Sequence, residues 1–252
     1  MRETTPNSPL HGSILSFPDR GPWGNSRYRG NCSGWVYKRI FEHLHPRVFT
    51  DPMVGSGTSV EVAREMGIEA YGLDLHSGFN ILKDSILERV GKPSDLVLSH
   101  PPYHDMIPYS GSEWGREPHP DDLSRCGSEE EFLEKLRVAI ENQRTATAPG
   151  GFYGIIIGDV RRRGQYSSYQ AEAIARMPKE ELRSVLIKTQ HNMVSNQVRY
   201  APMKFMSMWC CGSGCLVLER DHAGRSARAM ATREASDGTS PTKKYWSVPY
   251  QW

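Results

Sequence analysis

Val48-Phe49-Thr50-Asp51-Pro52-Met53-Val54-Gly55-Ser56-Gly57-Thr58-Ser59 reads as a strand, a tight glycine turn and the start of a helix. The strand is Arg47 to Asp51, and helical spacing resumes through Val60, Ala63, Arg64 and Met66. Gly55 and Gly57 let the backbone approach a ligand closely, and Thr58 or Ser59 is expected to cap the helix start. Gly67 stops the helix. Glu69 to Leu75 is then a second strand with Asp74 at its end, 19 residues after Gly55. At that spacing a nucleotide-binding βαβ unit sets an acid against ribose hydroxyls. The turn is not G-x-G-x-x-G and lacks the Gly-Lys pair of a phosphate-binding loop. An adenosine ligand without phosphates therefore fits better than a dinucleotide or a triphosphate.

A second motif follows some fifty residues on, where the apolar run Leu96-Val97-Leu98 closes on Ser99-His100-Pro101-Pro102-Tyr103. Each proline fixes φ and removes a backbone donor, and each residue before a proline is pushed out of the helical region. The chain leaves the strand in one extended shape with a ring at its tip. A carbonyl-lined corner of this kind suits a flat, polar-edged group such as a nucleobase. On its own it is equally a proline-rich turn ending a strand.

Taken together, Asp51-Pro52-x-x-Gly55-Ser56-Gly57-Thr58 and the Pro-Pro-Tyr corner resemble the DNA amino-methyltransferases, over roughly residues 17 to 220. That resemblance implies an α/β, Rossmann-like class I methyltransferase fold. Its central sheet is mostly parallel, with an antiparallel terminal hairpin and helices on both faces. It also implies S-adenosylmethionine as cofactor, and methylation of adenine N6 or cytosine N4 on a base flipped from DNA. Asp51, Pro52, Gly55, Ser56, Gly57, Thr58 and Asp74 are then cofactor-binding, with Asp84 near the cofactor's adenine. Ser99, His100, Pro101, Pro102 and Tyr103 are catalytic. The Pro101 carbonyl and the side chain before it hold the target amine, and Tyr103 stacks on the flipped ring. The family usually has Asp, Asn or Ser directly before Pro-Pro, where this chain has His100. A neutral imidazole supplies one acceptor nitrogen for the same task. Methylation of RNA or of a protein amide, and a catalytically degenerate nucleic-acid-binding module, remain as alternatives.

Composition fits a soluble intracellular enzyme, and the resemblance implies a cytoplasmic one, nucleoid-associated in a prokaryotic or phage restriction–modification setting. The net charge of +2 over 252 residues allows nucleic acid without demanding it. No run approaches the length of a membrane span, and the polar start Met1-Arg2-Glu3-Thr4-Thr5 is no signal peptide. The five cysteines lack paired spacing, so reduced, buried thiols and no metal are expected.

Three regions complete the reading: a flexible lead (1–16), a catalytic domain (17–220) and a disordered tail (221–252). Residues 17 to 34, rich in Gly, Arg and aromatics, form a functional loop before a helix of about Trp35 to Leu44. Asn31 and Ser33 are expected to cap that helix and turn its amides toward a carboxylate, with Asn31 binding cofactor. Residues 104 to 128 are expected as a mobile segment over the site, with Tyr109 touching the target strand. A helix over Glu129 to Thr147 leads through Pro149-Gly150-Gly151 into a buried strand ending at Gly158-Asp159. Arg161, Arg162 and Arg163 directly after it suit DNA phosphates. A helix over 170–183 and strands over 184–189 and 214–219 follow. The amide-rich stretch between those strands, with Asn192 and Asn196, suits base edges. A chain of this length leaves room for modest sequence recognition, with a homodimer or a separate specificity partner as the remedy.

Overall fold

A computed structural model of the chain describes residues 10, 12–160, 165–189 and 191, and the backbone alone of 161, 162 and 212–219. The chain divides after Asp221, and the second unit, His222–Trp252, where the disordered tail is expected, lies outside the described residues. The first unit is built on a seven-stranded sheet. In chain order its strands are β1 (Ile14–Ser16), β2 (Val48–Asp51), β3 (Glu69–Gly72), β4 (Ser94–Ser99), β5 (Thr147–Gly158), β8 (Leu182–Thr189) and β9 (Gly212–Glu219). Across the sheet they run β1-β8-β9-β5-β4-β2-β3. β3, β2, β4 and β5 are parallel, as are β1 and β8. β9 is antiparallel to both β5 and β8, which gives the expected terminal hairpin. This is the expected class I α/β arrangement.

Side-chain alternation assigns each face of the sheet to a core. Val97, Tyr153, Ile155 and Ile157 face one layer, with Phe132, Leu136 and Ile140 of α4 (Glu129–Ala146). Leu96, Leu98, Ile156 and Leu186 face the other, with Val36, Ile40 and Phe41 of α1 (Gly34–Leu44) and Val60 and Ala63 of α2 (Thr58–Glu65). Such period-two division is what a strand buried on both faces requires. Two short helices, α3 (Ile86–Val90) and α5 (Tyr169–Ala175), complete the framework.

Several expectations are corrected. The lead is not wholly loose: Ile14–Ser16 adds an edge strand in register with Ile187–Thr189, because Leu15 buries between exposed neighbours. The helix expected to reach 183 stops at Ala175, since Pro178 cannot continue it and β8 begins at Leu182. Residues 104–128 are folded, as described below. Past Asp159, Val160–Arg162 (β6) and Gln165–Ser167 (β7) pair as a separate antiparallel hairpin.

β2 sends its connection to β3 on one side, while β4 lies on the other. The carboxyl ends of β2 and β4 thus flank a topological switch point, where an open α/β sheet leaves a crevice.

Candidate active site

The crevice is an open cleft of about 790 Å³ between the glycine turn, the proline corner and segment 104–125. From β2 it receives Asp51, Pro52 and the turn Met53–Ser56. From α2 it receives Thr58 and Ser59, from the end of β3 Asp74, and from the end of β4 His100 and Pro102.

Gly55 and Gly57 turn the chain with φ of +50° and +90°, values that L side chains rarely adopt. A β-carbon on Gly55 would also come within 3.0 Å of the Tyr28 ring. Asp74 closes the turn from the far side: Oδ2 accepts from the Gly55 amide (2.9 Å) and Oδ1 from His76 Nδ1 (2.7 Å). That contact pulls the His76 pKa upward.

Asp51 is 2% exposed and accepts from the Ser59 hydroxyl (2.6 Å) and the Met53 amide (2.9 Å). Burial outweighs these bonds and pushes its pKa up to about 7. Ser59 therefore serves Asp51 rather than capping α2. Thr58 does not cap it either: the N-cap is Gly57, and Thr58 donates to Asn31 Oδ1 (2.6 Å). Asn31 Nδ2 in turn donates to Ser56 Oγ (2.8 Å), and the Gly24 amide to Glu61 (2.7 Å). The polar residues of the motif thus fasten the loop 24–31 over the start of α2. Gly57 itself is not a lining residue.

The first turn of α1 is arranged otherwise than expected. Ser33 occupies the N-cap without a side-chain cap; its hydroxyl donates to the Asp19 carbonyl (3.1 Å), and Gly34 N donates to the Arg20 carbonyl (3.0 Å). Segment 19–20 takes the place of a free carboxylate there.

At the proline corner only His100 and Pro102 line the cleft. Ser99 and Pro101 are buried, and Ser99 Oγ has no partner among the described residues. Tyr103 packs against the α4-side core with its hydroxyl 2.9 Å from His100 Nε2 and its ring edge-on to the imidazole. It does not stand at the cleft wall as a stacking platform. Burial, with Lys188 adding to it, drives the His100 pKa down to about 3, so the imidazole is neutral at working pH.

Segment 104–125 forms a cap. The buried Asp122 carboxylate accepts from the amide and hydroxyl of both Ser110 and Ser124, and Arg125 donates to the Ser110 carbonyl. From this cap Tyr109, Trp114, Asp121 and Leu123 reach the cleft. Tyr109 stacks on Tyr28 (5.9 Å, 25°) and donates to the Arg29 carbonyl (3.2 Å), so it joins cap to loop rather than standing ready for a strand. Burial raises its pKa to about 12.

Asp84 is displaced from its expected role. Its carboxylate accepts from the Asn80 amide (2.7 Å) behind the turn, and Asn80 and Ile81 line the cleft instead. Asn80 Nδ2 donates to Asp121 (2.8 Å), which also pairs with Lys83. The i, i+4 relation of Asn80 and Asp84 was the available signal, since such a pair builds a turn. Trp114 lay in the segment expected over the site, whereas Tyr28 and Asp121 carried no local signal. Arg161 and Arg162 lie in β6, whose side chains are not described; Arg163, Asn192 and Asn196 lie outside the described residues. No helix among the described residues is long and apolar enough to cross a membrane.

No protein-family model matches the chain, and no curated protein matches it. Among solved structures it is similar to TrmN from Thermus thermophilus, at 15% identity over 76% of this chain and 50% of that one, TM-score 0.47. It is also similar to a candidate DNA modification methylase from the same organism (16%, 71% and 55%, TM-score 0.33). A third is the N-methyltransferase NodS from Bradyrhizobium japonicum, solved with S-adenosyl-L-homocysteine (14%, 76% of each chain, TM-score 0.35). The chain spans about half the length of the first two. At this similarity the site has to be read from its own residues.

Proposed function

We propose that the chain is an S-adenosylmethionine-dependent methyltransferase acting on the exocyclic amine of a base in DNA, adenine N6 or cytosine N4. The observation that carries this reading is the meeting of the Asp51–Ser59 turn, Asp74 and the His100–Pro102 corner in one cleft.

The donor set fits such a cofactor. Asp74 offers a carboxylate to a diol, Leu75, Phe79 and Ile81 offer apolar surface to a flat ring, and Asp51 offers a carboxyl group to a cation. When bound, the cofactor supplies a methyl group on a sulfonium, activated without a metal. The remaining work belongs to the chain. An aromatic amine is a weak nucleophile because its lone pair is spread into the ring. Acceptors on its hydrogens draw that pair back onto nitrogen, and neutral His100 at the cleft wall supplies one through Nδ1 when its Nε2–H donates to the Tyr103 hydroxyl. His100, with its pKa near 3, does not retain the proton released on N-methylation. The hairpin β6–β7, with Arg161 and Arg162 in its first strand, extends from the cleft end of β5 and supports a polyanionic substrate.

A tritiated-methyl assay on duplex DNA, single-stranded DNA and RNA, with mass analysis of the modified nucleoside, tests this. Label in N6-methyladenine or N4-methylcytosine of DNA is expected. Label only in RNA would move the substrate class, and label in none would overturn the reading.

A further inference from the structure

An exposed apolar side chain means little by itself. Met106 is 45% exposed, and what marks it is the rigid mount beneath it, four residues past the cleft-lining Pro102. Pro101 and Pro102 fix the chain as it leaves β4. His104 then turns it through φ of +51°, a conformation unfavourable to any residue with a β-carbon. His45, the other described non-glycine residue with positive φ, is the C-cap of α1. His104 caps no α-helix, and buried contacts hold it from three sides. Its ring stacks on Phe132 (5.5 Å, 22°), Nε2 lies 3.2 Å from the Cys126 carbonyl oxygen, and Nδ1 lies 3.4 Å from the Tyr169 hydroxyl. The Met106 amide closes the turn by donating to the Tyr103 carbonyl (3.2 Å). Strain held in this way beside a reaction centre fixes where a neighbouring side chain points. Here that side chain is apolar and faces water.

The elements next to Met106 carry cations. Loop 24–31 adjoins the following residue: a β-carbon on Gly30 would lie 3.5 Å from Ile107 Cδ1, and Arg27 and Arg29 of this loop are exposed. The Tyr169–His104 contact brings up the start of α5, and with it the end of hairpin β6–β7, which has Arg161 and Arg162 in its first strand and an exposed Tyr166 in its second. An apolar tip between cationic segments suits a side chain that enters a base stack while its neighbours hold the phosphates. Drawing a base out of a duplex leaves a gap between its neighbours, and an inserted side chain restores the lost contacts.

We propose that Met106 is a wedge for duplex DNA: it enters the stack at the position the target base leaves, and so stabilises the extruded state. The inference rests on the DNA methyltransferase reading and deepens it, because a wedge serves paired DNA and not a single strand.

Two measurements on the full chain, as wild type, Met106→Leu and Met106→Ala, test this. The first compares initial methyl-transfer rates on one unmethylated genomic DNA, as duplex and after heat denaturation, so that every target sequence is present in both forms. Met106→Ala is expected to lower the duplex-to-denatured rate ratio by about 10-fold. Met106→Leu, which keeps an apolar side chain of similar volume, should lower it by less than about twofold. The second measurement is affinity for a duplex with one abasic site against the same duplex intact, read by fluorescence anisotropy; it needs neither methyl transfer nor a target sequence. Wild type and Met106→Leu are expected to favour the abasic duplex by about 10-fold, because its gap is already open, and Met106→Ala to lose that preference. A rate ratio or a preference that Met106→Ala leaves unmoved overturns the wedge. So do equal proportional losses on duplex and denatured DNA, which would mark a structural or catalytic role. A wild type that labels neither form of DNA fails the methyltransferase reading, and the abasic arm still tests Met106. A wild type that methylates DNA without favouring the abasic duplex overturns the wedge alone.

Discussion

Ser99 and His100 are neighbours in the chain, but only His100 lines the cleft. His100→Ala is therefore expected to lower kcat by about 10²- to 10³-fold, the usual effect of deleting one preorganised polar group. Cofactor affinity should stay within about threefold. Ser99→Ala removes a buried hydroxyl that bonds nothing among the described residues, and should leave kcat within about threefold. A folded Ser99→Ala protein without activity would transfer the amine contact to Ser99. Because His100 is neutral above about pH 3, the pH dependence near neutrality falls to Asp51 and to His76, whose pKa Asp74 pulls upward. The folded pKa of Asp51, about 7, lies above the ordinary carboxyl value of 3.8, so the native state holds a proton that the unfolded chain has released. Its stabilising contribution is full below the unfolded value and is lost as pH rises through 7. Asp51→Asn is thus expected to raise Tm at pH 8, by about 2–4 °C per kcal/mol relieved, with the gain shrinking toward pH 4. A cationic ligand favours the ionised carboxylate, so wild-type affinity for S-adenosylmethionine should strengthen through pH 7 and the variant's should not. A pH-independent affinity in wild type would remove Asp51 from the cation's surroundings.

The cap over 104–125 is the element whose behaviour follows least from periodicity. It has no long apolar repeat because its fold is held by side chains bonding backbone: Asp122 to Ser110 and Ser124, Arg125 to the Ser110 carbonyl. Such bonds leave Ser, Asp, Gly and Pro in a pattern that reads as loop. His104 anchors its start in the left-handed region (φ +51°), stacked on Phe132 with Nε2 3.2 Å from the Cys126 carbonyl. The helices α1 and α4 were legible because their buried residues recur with the helical period, and the two strands beside the glycine turn because Gly55, Gly57 and Gly67 punctuate the unit between them. The three-residue strand β1 was not, since three residues hold no period. The same contrast divides the site: Asp51, Gly55 and Asp74 sit within one continuous βαβ unit, while Tyr28, Trp114 and Asp121 reach the cleft from separate segments. Asp122→Ala leaves four donors without their acceptor. Local loosening is expected: faster proteolysis within 104–125 and about 10-fold weaker cofactor binding, with the global denaturation midpoint moving far less. Equal losses in the midpoint and in cap protection would make the cap part of the global fold.

At the scale of the whole molecule, the sheet's far end is tied to its centre by one buried carboxylate. Glu181, at the entry to β8, is 2% exposed. It accepts from Arg144 Nε (2.9 Å) and Nη2 (2.7 Å) at the end of α4, and from the Tyr153 hydroxyl on β5. These contacts join α4, β5 and β8 on the face opposite α1, at the amino end of β8 and away from the cleft-lining residues. Removing the cation alone strands a buried charge, which costs more than the pair itself contributes. Arg144→Met is expected to destabilise by about 3 kcal/mol, the low end for a broken buried pair because Arg144 is itself a third exposed. Pairing Arg144→Met with Glu181→Gln, which abolishes the stranded charge, should recover most of that loss. Urea denaturation of the three proteins measures both steps, and methyl transfer by the folded fraction should be unchanged throughout. A double variant no more stable than Arg144→Met would assign the loss to the packing of the Arg144 stem against its neighbours instead of to the uncompensated carboxylate.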